Sequence, residues 1–74
     1  MSKLDKNILD FLVALVSEFA HRFNISQDKA YNYIRQYQGL AYYFNHYNIL
    51  HTLSFDDNVD GLIQVCANNG GDLR

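Results

Sequence analysis

Apolar residues in the first third of the chain recur at spacings of three and four: Ile8, Phe11, Leu12, Leu15, Phe19 and Phe23. That is the period of one helical face, and it predicts a first helix from Asp5 to Phe23. Asn24-Ile25-Ser26 then interrupts the pattern, with Ser26 placed to accept hydrogen bonds from the orphan amides that open a second helix. Asp28 in the first turn suits the positive end of that helix's dipole. Ala30, Ile34 and Tyr37 repeat at helical spacing, as do Tyr33, Tyr37 and Leu40. The second helix is therefore expected over Gln27–Gln38, with Gly39 as the left-handed residue that ends it.

Leu40 to Tyr47 is dense in aromatic residues and predicts a short third helix, after which Asn48 to Thr52 reads as a turn. Ser54 followed three residues later by Asp57 resembles a capping box with the shorter acid, and Asp56 and Asp57 favour a helix N-terminus electrostatically. A fourth helix begins there, with Phe55, Val59, Leu62, Ile63 and Cys66 as its apolar face and Gly61 inside it costing about 1 kcal/mol relative to alanine. Asn68-Asn69-Gly70-Gly71 stops it. The expected fold is all-α: a compact bundle of four short helices around the first, one domain over 1–74, with an ordered core at about 5–68 and a flexible tail at 69–74.

With Ile8 at zero and 100° per residue, the apolar side chains of the first helix run from Phe11 through Leu15, Ile8, Phe19, Leu12, Phe23, Val16, Leu9 and Ala20 to Val13. The arc is about 200° wide, against the roughly 100° that a core-facing stripe needs. Either this helix is the buried centre of its own domain, or part of Leu9, Val13, Val16 and Ala20 faces a second chain.

Composition narrows the class. Seventy-four residues allow one small domain, and 49% apolar with 15% aromatic content is too rich for intrinsic disorder. A single cysteine permits no internal disulfide, which favours the cytosol. Met1 to Lys6 imitates the basic start of a signal peptide, but Asp10 breaks the apolar stretch that follows, and the run Phe11–Val16 is far short of the roughly 20 residues of a membrane span. An ordinary cytosolic N-terminus is expected, with no membrane association.

Six tyrosines, Tyr31, Tyr33, Tyr37, Tyr42, Tyr43 and Tyr47, crowd the middle of the chain. Tyr31, Tyr42 and Tyr43 cannot all point inward together with Tyr33, Tyr37 and Phe44, so some are expected at the surface as boundary residues, a protein-binding patch or a base-stacking platform. A helix-turn-helix reading of Gln27 to Tyr47 is opposed by charge: the would-be recognition helix Leu40–Tyr47 has no lysine or arginine, and six basic residues face eight acidic ones overall. His46, His51, Asp56, Asp57 and Cys66 match no familiar metal-ligand spacing, and Cys66 reads as a small core residue. No phosphate loop, nucleophile elbow or carboxylate pair is present, so no catalytic residue and no cofactor are expected.

The segments Ile8-Leu9-Asp10-Phe11-Leu12-Val13, Asn24-Ile25-Ser26 and His46-Tyr47-Asn48-Ile49-Leu50-His51-Thr52 together resemble a family of short bacterial helical proteins of unknown function. The resemblance runs from about Ile8 to Ile63, and its sharpest piece is Tyr47 with Leu50-His51-Thr52. Some members are encoded beside proteins resembling ADP-ribosyltransferase toxins, which implies an antitoxin-like or accessory binding role. The Tyr42-Tyr43 segment and the Gly70-Gly71 tail depart from the family's pattern. A structural role for the motif is also open: Leu50 anchors the connection, while His51 or Thr52 bonds backbone near the last helix.

These readings converge on a non-catalytic protein-binding module that meets a protein partner, in the toxin-like case an enzyme, as part of a homo- or hetero-oligomer. The expected contact residues are Leu9, Val13, Val16, Tyr31, Tyr42, Tyr43, Tyr47 and His51. The alternatives are a dimeric DNA-binding regulator and a self-assembling structural protein.

Overall fold

The computed structural model describes residues 3–73, with side chains from Asp5 onward. Met1 and Ser2 of the basic opening, and Arg74 of the expected tail, lie outside the described residues. Four helices follow one another: α1 (Lys3–Phe23), α2 (Gln27–Gln36), α3 (Gly39–Leu50) and α4 (Phe55–Asn68). No strand occurs among the described residues. Helix α1 packs on α2 and α4, and α2, α3 and α4 also pack on one another. The core draws on all four: Leu15 and Phe19, Ala30 and Ile34, Tyr43 and Leu50, Val59 and Leu62.

The corners are closed by local chemistry. The Asn24 amide donates to the His21 carbonyl at 3.2 Å and the Ile25 amide to the Ala20 carbonyl at 3.0 Å, a Schellman pair with Asn24 in the left-handed region at φ 53°. Asparagine takes that conformation more readily than other side chains, which explains the stop after Phe23. Ser26 Oγ accepts from the Lys29 amide at 3.1 Å, and Ser54 Oγ from the Asp57 amide at 3.1 Å, so both expected caps are formed.

The second corner departs from the expectation. Helix α2 stops at Gln36, and Gln38 takes the left-handed conformation (φ 70°) expected of Gly39. Gly39 opens α3 because of packing: a Cβ there would lie 2.6 Å from Ile34 Cγ2 and 2.9 Å from the Ile34 carbonyl oxygen. The glycine lets α3 cross the end of α2 at close range.

Helix α3 also runs further than expected, to Leu50, absorbing most of the segment read as a turn. Thr52 Oγ1 donates to the Ile49 carbonyl at 2.6 Å and finishes the helix. Asn58, 1% exposed, closes the corner from the other side. Its Nδ2 donates to the carbonyls of Leu50 at 2.9 Å, Ser54 at 2.8 Å and, more weakly, Leu53 at 3.4 Å. One buried amide thus ties the end of α3 to the connection and N-cap that open α4.

The tail is not free through Leu73. Gly70 (φ 101°) and Gly71 end α4 with a second Schellman pair, Gly71 amide to Cys66 carbonyl at 2.8 Å and Gly70 amide to Ala67 carbonyl at 3.3 Å. Gly71 is buried against the Tyr33 ring, where any Cβ would strike the phenol oxygen. The Leu73 amide then donates to the Tyr33 hydroxyl at 2.9 Å, and its side chain packs on the core. The segment expected as a flexible tail over 69–74 is joined to the bundle through 73 by a buried glycine and a tyrosine acceptor.

Candidate functional site: an apolar face on the first helix

The two sides of α1's broad apolar arc meet different fates. Leu12, Leu15, Val16, Phe19 and Ala20 are buried, whereas Leu9 and Val13 are 41% and 64% exposed. Gln27, Asp28 and Tyr31, from the first turns of α2, lie beside Leu12, Val13 and Val16; Leu12 and Val16 are covered, whereas Val13 stands clear.

Two hollows flank the uncovered residues. One, about 370 Å³, is lined by Asp5, Ile8, Leu9 and Phe44, the last contributed by α3. The other, about 180 Å³, is lined by Leu12, Val13 and Val16 of α1 with Gln27, Asp28 and Tyr31 of α2. Leu9 and Val13, one turn apart, form the ridge between them, and Tyr31 (42% exposed) and Phe44 (50% exposed) stand at its two ends.

Of the eight expected contact residues, Leu9, Val13 and Tyr31 lie on this face. Val16 is corrected to a nearly covered residue in the floor of the smaller hollow. Tyr43 and Tyr47 are corrected to core residues, because Gly39, Tyr43, Tyr47 and Leu50 share the inward side of α3 at spacings of four, four and three. The Tyr43 ring stacks on Phe11 with centroids 6.3 Å apart, and its hydroxyl donates to the Ile8 carbonyl at 2.6 Å. Burial raises the Tyr43 pKa well above that of a free phenol.

Tyr42 lies elsewhere, half-buried over α4, where Gly61 leaves room for its hydroxyl. His51 is exposed and stacks on Tyr47 at 4.9 Å. Leu50 is buried as an anchor, and Thr52 bonds the α3 terminus. Phe44 is the member of the face that sequence reasoning missed, having been counted among the inward rings. The available signal was the spacing Tyr43–Tyr47–Leu50, which selects the inward side of α3 and leaves Phe44 off it.

The charged groups sit around the bundle. Arg22 Nη1 pairs with Asp60 at 3.0 Å and Nη2 with Asp56 at 3.5 Å, tying the end of α1 to the start of α4. The Asp60 hydrogen bond, with help from Asp56, raises the guanidinium pKa further. Lys6 pairs with Asp10 at 2.9 Å along α1. Burial of Cys66 pushes its thiol up to about 11, partly offset by a hydrogen bond from the Gly39 amide. Among the described residues, no group of three or more His, Cys, Asp or Glu side chains is placed to hold a metal ion, and no helix is long and apolar enough to cross a membrane.

The fold and this face define a small all-helical protein with an uncovered apolar ridge. Its residues 10–69 match the family described as protein of unknown function DUF3791, and the chain belongs to that family. No curated protein and no solved structure matches it.

Proposed function

We propose that the chain is a non-catalytic protein-binding module that docks a partner protein on the face formed by Leu9, Val13, Tyr31 and Phe44. The observation that carries this reading is Val13, 64% exposed at the middle of a helix and one turn from the half-exposed Leu9. Single apolar side chains at a surface are ordinary, but four large ones around two adjoining hollows make the kind of patch that marks an interaction site. In the form the family resemblance implies, the partner is a toxin-like enzyme in the bacterial cytosol. The chain then acts stoichiometrically, by covering the enzyme's active site.

The test uses the immobilised chain and its Val13→Glu and Leu9→Glu variants, each with helical circular dichroism equal to the parent. A defined protein from the host is expected to be retained by the parent and lost from both variants. Equal retention by all three overturns the reading.

A further inference from the structure

Resting on that reading, the geometry points to the partner's contacting element: an amphipathic helix with an apolar stripe and lysine or arginine beside it. Spacing gives the helix. On α1 the larger hollow is centred on Asp5, Ile8 and Leu9 and the smaller on Leu12, Val13 and Val16. Their centres are about two turns apart, roughly 10 Å along the axis. A helix lying along α1 presents side chains at i and i+7 with that separation, and those between them straddle the Leu9–Val13 ridge. An extended strand repeats on one face about every 6.6 Å and fits the two hollows poorly.

Charge gives the flanks. Asp5 lines the larger hollow and Asp28 the smaller, whereas Lys6, Lys29 and Arg35 line neither. Lys6 is bonded to Asp10. A second copy of this chain is a poor occupant, because two-fold pairing over this face lays each acid-lined hollow against another acid-lined hollow. A basic flank meets the Asp28 carboxylate at the rim of an apolar seam, where complementary charge selects the partner.

Two labelled peptides of about 18 residues, long enough for appreciable helix, serve as probes. They share leucines at i, i+3, i+4 and i+7 and differ only in lysine or glutamate flanks. Fluorescence anisotropy is expected to show the lysine peptide binding about tenfold or more tighter than the glutamate peptide, with the preference shrinking as salt rises. Asp28→Asn, which keeps a residue suited to a helix start, is expected to reduce that preference severalfold, and Val13→Glu to abolish binding of both. Equal affinity for the two peptides, both lost with Val13→Glu, overturns the basic-helix assignment and leaves the docking face standing. Insensitivity of both to Val13→Glu overturns the face as well, and concentration-dependent dimerisation through Val13 replaces the basic helix by a second copy.

Discussion

The Tyr43 hydroxyl donates to the carbonyl of Ile8, 35 residues away, at 2.6 Å. Tyr43 is fully buried, and Ile8 lies in the interior of α1, where its carbonyl also serves the helix. The bond fixes the rotation of α3 against α1. That rotation places Tyr43 and Tyr47 inside and turns Phe44 out toward Leu9.

Tyr43→Phe keeps the ring and removes the hydroxyl. Because the Ile8 carbonyl retains its helical bond, the cost is expected to be about 1 kcal/mol. For a domain of this length that corresponds to a fall in Tm of about 4–8 °C, measurable by thermal circular dichroism.

Asn58→Asp replaces a buried donor by an acceptor facing three carbonyls. The expected cost near neutral pH is about 3 kcal/mol. Burial and the carbonyls raise the folded carboxyl pKa above its unfolded value of about 3.9, so the variant is relatively most stable below pH ~4 and loses stability as pH rises through the folded pKa. Urea titrations at several pH values check both the size and the direction.

The glycines separate two effects. Gly39→Ala drives a methyl into Ile34, whose side chain is buried and whose backbone carbonyl lies only slightly farther away, and is expected to cost about 1–3 kcal/mol. Gly61→Ala meets only the Tyr42 phenol, at 3.1 Å, on a half-buried ring free to yield. There the gain in helix propensity wins, and a stabilisation of up to about 1 kcal/mol is expected in denaturant unfolding.

Alkaline conditions weaken the fold in a defined direction. The Cys66 thiol, near 9 when unfolded, is pushed up to about 11 by burial, and the Tyr43 and Tyr33 phenols are also raised by burial. Below pH ~9 the stability linked to Cys66 is fully present, and it is lost as pH rises from about 9 through about 11. Cys66→Ala removes the thiol's share of that slope, and stability measured from pH 8 to 11 separates the two chains.

How far the sequence anticipated this depends on how local the cause is. Ser26 and Ser54 were legible because a cap needs only the next turn, and Asn68 to Gly71 because a left-handed glycine ends a helix wherever it packs. The exchange of roles between Gln38 and Gly39 was not, since the constraint on Gly39 is the side chain and backbone of Ile34 in a crossing helix. The same distinction governs the face. Leu9 and Val13 follow from the width of the apolar arc, whereas Val16 is covered where the first turns of α2 come to lie beside it. The spacing Tyr43–Tyr47–Leu50 marks the inward side of α3, but neither the bond of Tyr43 to Ile8 nor the capture by Tyr33 of a segment forty residues later shows in any local pattern.

The corner held by Asn58 also bears on kinetics. Its side-chain bonds to Leu50, Leu53 and Ser54 span eight residues or fewer, so α3 and α4 can join without a long search, whereas Arg22 must find Asp60 across 38 positions. Stopped-flow refolding is expected to slow with Asn58→Ala, while Arg22→Met chiefly accelerates unfolding; the reverse pattern excludes an early α3–α4 hairpin. In that order of events the amino-terminal end of α1, which carries the Leu9–Val13 ridge and is tied by Ile8 to Tyr43 across 35 positions, takes its setting only once distant parts of the chain have met.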